Sequence, residues 1–325
     1  MTVKISVPKK HFSTKKRALY FLLPILFVFI LSNSAYVSNS VYSSLLICAK
    51  SVVPALFPMA AVSSFALKTG FTRYLGQALD KISRRLFGVS GEGGAAFVIG
   101  IVAGYPLGAD LTAKLYRAGR ISKDEGERLL PFCNNAGAAF IICGIGQAMR
   151  GNIAKGVVIF FAQLISAVTV GVIMRFLAKG RATPCDKISP LPELPLSVAF
   201  TRSVEDAASS MVRACSFIML FSVVISSFDI VFYRLGITLP NEVAALFGGL
   251  FEIANGCVRA SAIPSAAGVG ITSAIVGWSG LSVIAQSAAI VSDTDLSLKK
   301  FIVGKGAMAV ISGVLGYAFA ILFAM

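Results

Sequence analysis

Five polar residues and one glycine sit where an apolar chain has least use for them. Asn134, Asn135 and Gly137 interrupt the uncharged run Leu129–Met149, Glu252 lies within the apolar stretch Val243–Ile263, and Lys50 and Arg213 fall inside long hydrophobic segments. In hydrocarbon an amide needs partners that lipid cannot supply, and a charge needs a cavity or a counter-charge. What such residues can do is recognise a polar solute inside a membrane. Freed helix ends and amides orient it, and cations select its charge.

The elements that must position them follow from composition. The 325 residues are 56% hydrophobic and 14% charged, with mean hydropathy +0.80. A soluble domain carries about a quarter charged residues, so this is an all-α polytopic membrane protein. The net charge of +15 resides in short loops between apolar runs, the pattern of a cytoplasmic membrane surface, and nucleic acid is excluded as a partner. Six cysteines fall singly without CxxC spacing, and the single histidine, His11, is in the basic tail. Neither a metal site nor a cofactor is indicated.

Residues 1–40 read as a basic tail followed by a first transmembrane helix over Ala18–Leu31, retained and with its N-terminus cytoplasmic. The uncharged link Ser32–Ser40 reads as external. Residues 41–180 form a first unit. It has a span over Val41–Leu67, a basic loop Lys68–Phe87 with an amphipathic interfacial helix, and Gly91–Leu111 between two basic flanks. A segment that leaves on the side it entered is a re-entrant helical hairpin, with Gly104-Tyr105-Pro106 as its tip. The broken span 129–149 and the span Gly156–Phe176 complete the unit.

A Pro-rich cytoplasmic linker over 181–200 leads to a second unit, 201–325, with the same order. Val204–Phe232 is a span, Val243–Ile263 takes the place of the hairpin, Ala266–Val291 is broken at Gly277-Trp278-Ser279-Gly280, and Phe301–Phe323 closes the set. The flanks of the second hairpin, Gly236–Glu242 and Pro264–Gly270, contain no Lys or Arg, whereas those of the first are basic. The units are therefore expected to be an inverted-topology repeat, each with a re-entrant hairpin and a broken transmembrane helix.

Aligning Ser63-Ser64-Phe65 with Ser226-Ser227-Phe228 sets Lys50 opposite Arg213. Two such cations, with half-helix N-termini after Asn135 and Trp278, favour an anion. Glu252 is a coupling residue for a proton or cation, or an ion-pair partner of Arg259 or of a cation in the other unit. Gly277-Trp278-Ser279-Gly280 fits the GxSG of intramembrane serine proteases, but no span offers a histidine base and the chain is not read as an enzyme. There is no Walker-type loop for an ATP-driven pump.

At Gly104–Ala109 (GYPLGA), Phe132–Cys143 (FCNNAGAAFIIC) and Phe251–Cys257 (FEIANGC) the sequence resembles the sporulation integral membrane proteins of the YlbJ type, within the wider nucleoside-recognition or "gate" domain group. The resemblance runs from about residue 40 to the C-terminus. It implies a role in endospore maturation, movement of dipicolinate across a cell or forespore membrane, and a likeness to nucleoside transporters with paired hairpins and broken helices. By position it implies Gly104, Tyr105, Pro106, Asn134, Asn135, Gly137, Glu252, Asn255 and Gly256 as the core, to which the second break adds Trp278 and Ser279. The expected partners are a small anionic solute and the bilayer, with a homo-oligomer also compatible. A secondary transporter or facilitator is the leading expectation. A nucleoside-type transporter and a non-transporting factor for spore-envelope assembly are the alternatives.

Overall fold

The computed structural model describes residues 14–178 and 194–324, which form helices and connecting turns with no strand among them. The expectations for the tail up to residue 13, with His11, and for most of the Pro-rich linker, with Cys185, lie outside the described residues. Among the described residues five helices are long and apolar enough to cross a membrane, or six if one bent pair is counted as a span.

After α1 (Thr14–Ser32) only Asn33 is non-helical, its Nδ2 donating to Phe29 O at 2.8 Å. The expected external link over Ser32–Ser40 is therefore corrected: from Ser34 onward it is helix. The reason is packing, since Ser40 donates across to Ser222 O at 3.1 Å and Ser44 donates back to Ser40 O at 2.8 Å. Helix α2 runs from Ser34 to Lys68, with one π-helical stretch at Cys48–Val52. Pro54 has no N–H for the turn preceding it, and that turn widens, Val53 N–H reaching Cys48 O.

The two longest helices lie side by side and antiparallel. Helix α9 (Leu196–Arg234) meets α2 at Asn33 with Arg234 (2.7 Å), Ser40 with Ser226 (2.7 Å), Ser64 with Asp206 (2.9 Å), and Lys68 with Asp206 in an ion pair. Helix α3 (Phe71–Leu86) is the expected amphipathic helix. Phe71, Tyr74 and Ile82 stand exposed on one stripe, and α3 meets α4 (Gly91–Ala103) at 97°. An exposed apolar stripe at right angles to a buried helix suits a membrane surface.

Two helical hairpins follow the expected positions: α4 with α5 (Leu107–Arg117), and α10 (Asn241–Phe251) with α11 (Ile253–Ser261). The arms of the second close through glycine. A Cβ on Gly256 would fall 2.3 Å from Gly249 Cα, so only hydrogen fits there. Two broken helices pack against these hairpins: α6 (Lys123–Cys133) with the π-helical α7 (Phe140–Met149), and α12 (Ala266–Trp278) with α13 (Gly280–Val291). Helices α8 (Ile153–Phe176) and α14 (Lys299–Leu322) fill the middle, α14 touching α12, α8 and α6. Local signals set the starts: Ser122 Oγ caps Glu125 N–H at 3.2 Å and Asn152 Oδ1 caps Lys155 N–H at 3.2 Å.

Candidate functional site

The four discontinuities converge in pairs. In the first half the hairpin tip touches the break backbone to backbone: a Cβ on Gly104 would lie 2.6 Å from Gly137 N, and one on Gly137 3.0 Å from Ala103 O. Gly104 also has φ +87°, so both the contact and the turn require glycine. In the second half a Cβ on Gly280 would lie 3.2 Å from Ile253 N and from Phe251 O, beside the tip at Glu252. Trp278 Nε1 donates to Leu250 O at 3.0 Å. The tip of the first hairpin also reaches the second break. Tyr105, preceding the cis Pro106, turns its phenol towards Ser279, and the buried oxygen has no hydrogen bond within 3.5 Å.

The first break leaves backbone groups without helical partners; one side chain bonds the backbone there, and two more helices bond the asparagine side chains. Gln163 of α8, fully buried, accepts from Ala136 N–H at 3.2 Å and donates to Ala136 O at 2.9 Å. Asn134 Nδ2 donates to Ser287 of α13 at 2.8 Å, while its Oδ1 is buried without a partner. Asn135 Nδ2 donates to Phe132 O, and its Oδ1 accepts from Lys305 Nζ of α14 at 3.1 Å.

Glu252, fully buried, is the N-cap of α11. Its carboxylate accepts from Ala254 N–H (3.0 Å), Asn255 N–H (2.7 Å) and Asn255 Nδ2 (2.8 Å). The expected pairing with Arg259 is corrected, because Arg259 is taken by Asp229. A carboxylate with three N–H donors at a helix N-terminus needs no cation. Asn255 Oδ1 accepts from Ser222 at 3.1 Å, and Gly256 serves the hairpin seam described above.

Lys50 and Arg213 are not brought together. Cys48, Ser51, Val52 and Ala55 form the packed face of α2, and Lys50 lies on the opposite, exposed face. Arg213 borders a cavity of about 330 Å³ walled by Ser64 of α2, Pro106 and Asp110 of the first hairpin, Asp206 of α9 and Gln286 of α13. Its carboxylates are engaged, Asp110 by Lys114 at 2.6 Å and Asp206 by Lys68. Arg213, which like Lys50 is exposed, has only the Ser210 hydroxyl among the described residues, at 3.3 Å. A second cavity, of about 590 Å³, lies towards the other end of the α2–α9 pair. Asn33, Asn39, Ser40, Ser222, Asn255 and Arg259 line much of it.

Lys305 is the residue the sequence reading passed over. The signal was present as a lone cation inside the apolar run Phe301–Phe323.

At the end of the first hairpin, charge ties the halves together. Arg117 pairs with Asp293 and donates to Ile290 O at 2.8 Å, Lys123 pairs with Asp295 at 2.9 Å, and Lys300 with Asp124 at 2.8 Å. Arg117 holds the Asp293 carboxyl below the usual range, and Tyr116 and Lys123 do the same for Asp295.

Paired hairpin tips and helix breaks form a buried polar centre, with the exposed charged seam to one side, and the comparisons bear on what it serves. The sporulation integral membrane protein YlbJ of Bacillus subtilis (strain 168) is 29% identical over 286 residues, covering 78% of this chain and 70% of that protein. The chain is a relative of the YlbJ-type sporulation integral membrane proteins. No family model matches it, and no solved structure does. With the YlbJ relationship, the apolar helices are those of an integral membrane protein.

Proposed function

We propose that the chain is a secondary transporter or facilitator of a small anionic solute, built as an inverted-topology repeat. The observation that carries the anion is Arg213, a cation on the cavity wall whose neighbouring carboxylates are already neutralised by lysines. The antiparallel α2–α9 pair, one hairpin and one broken helix in each half, and closing helices of 24 residues each support the repeat. With the basic loops inside, the N-terminus and the Lys68–Asp206 end are cytoplasmic and the Asn33–Arg234 end is external. The two cavities then reach the hairpins from opposite ends of the α2–α9 pair, one at Pro106 and the other at Asn255. The sporulation role in the relative's name supports dipicolinate, a small aromatic dianion, as the solute, and a cell or forespore membrane as the location.

A second reading is favoured by the larger cavity, whose asparagines and serines suit a neutral, nucleoside-like solute. Binding to the purified protein in detergent separates the readings, with dipicolinate and uridine as probes. Dipicolinate should bind, Arg213→Gln should weaken it at least tenfold, and Lys50→Gln should leave it unchanged. Uridine binding indifferent to Arg213→Gln would favour the second reading. Binding of neither would point to a non-transporting factor for spore-envelope assembly.

A further inference from the structure

At the first break, Lys305 is a cation without an anion. It is fully buried, and Nζ has Asn135 Oδ1 at 3.1 Å, Met308 Sδ at 3.9 Å and the Phe301 ring centroid at 5.8 Å. An ammonium has three N–H donors, and here one oxygen answers them. Among the described residues no ion pair includes Lys305. Of the helices packed on α14, namely α12, α8 and α6, the titratable group that faces it is the Cys133 thiol. An unpaired charge at such depth is expensive and is retained where a function uses it.

Polar packing at the same break is unfinished, since Asn134 Oδ1 is fully buried and has no partner. This oxygen is an acceptor and calls for a donor, so what Asn134 offers a carboxylate is its Nδ2. Asn134 Nδ2 is held by Ser287, whose neighbour Gln286 lines the cavity that Arg213 borders. One side-chain hydrogen bond thus joins the break to the wall of that cavity.

We propose that Lys305, with Asn134 and Asn135, is an inner carboxylate-binding site, which the solute reaches when the Asn134–Ser287 bond parts. A carboxylate takes the N–H donors of Nζ that Asn135 Oδ1 does not fill, and the released Nδ2 of Asn134 becomes a further donor. The bond from Nδ2 to a carboxylate is charge-assisted and roughly twice as strong as the neutral bond to Ser287 that it replaces. Arg213 then attracts the anion and Lys305 receives it. This rests on the anion reading above.

The test is calorimetric titration of dipicolinate into the full-length protein in detergent, comparing wild type, Lys305→Gln, Lys305→Arg and Asn135→Asp. Lys305→Gln should weaken binding at least tenfold and Lys305→Arg no more than threefold. Asn135→Asp keeps the shape but gives Lys305 an internal carboxylate, so it should weaken binding at least tenfold while melting no lower than wild type. Wild-type affinity in Asn135→Asp overturns the proposal, whether or not Lys305→Gln folds. If wild type binds and Arg213→Gln weakens it while Asn135→Asp does not, this inference fails and the anion reading stands. If folded wild type binds no dipicolinate, both fall.

Discussion

The two helix breaks solve one problem at different cost. The first leaves four residues, Asn134–Gly137, out of helix and takes its partners from α8, α13 and α14. The second leaves one, Ser279, with φ +76°, and closes against the backbone of its own hairpin tip. A long break frees more N–H and C=O groups than a kink and must be held by side chains from elsewhere. The long break is therefore coupled to both halves of the molecule, and the short one chiefly to its own. Movement of one half against the other would be felt at Asn134–Gly137 first.

Several substitutions would break or sharpen that contrast. Gln163→Leu strips both partners from Ala136 and should cost about 3 kcal/mol, since each stranded buried group costs roughly 1–3 kcal/mol. The check is a fall in the melting temperature of detergent-purified protein. Gly137→Ala forces a methyl onto Ala103 O and Gly104 N, and overpacking of this kind costs about 1–3 kcal/mol. Glu252→Ala removes the N-cap of α11 and should cost about 1–2 kcal/mol by the same assay. Glu252→Gln, which keeps an acceptor, should cost less.

At the short break the sign reverses. Ser279→Gly relieves a left-handed residue and should stabilise by about 0.5–1 kcal/mol, read as a rise in the same melting temperature. The smallest effect is expected at the exposed seam. Arg117 lowers the folded pKa of Asp293 below its unfolded value. The stabilisation is therefore present above the unfolded value of about 3.9 and is lost as pH falls through the folded value. Asp293→Asn should flatten that acid limb of the melting curve, and salt should do so in part.

Much of the fold was legible because membranes allow few options. The hairpin tips at Gly104–Pro106 and near Glu252, the breaks at Asn134–Gly137 and Ser279, and the interfacial helix α3 were readable from charge, glycine and asparagine. Which face a cation takes was not. Lys50 and Arg213 are equivalent by alignment, yet the packed stripe of α2 turns Lys50 outward, and periodicity over a π-helical turn is a poor guide to facing. Glu252 looked like half of an ion pair because a carboxylate in an apolar stretch invites one. Its partners are backbone N–H groups, which any sequence supplies. Lys305 was visible as a lone cation in the closing apolar run but was not singled out, since a lysine near a helix end usually snorkels.

The antiparallel pair α2–α9 carries a mechanical consequence. At 35 and 39 residues these helices are about 52 and 58 Å long, against a hydrocarbon core of about 30 Å. Joined at Asn33–Arg234, Ser40–Ser226 and Lys68–Asp206, they form one strut that fits such a core only by tilting or by projecting beyond it. A thicker bilayer would draw the strut upright and a thinner one would tip it. Both hairpins touch this strut, so a change in its angle would be transmitted to the polar centre.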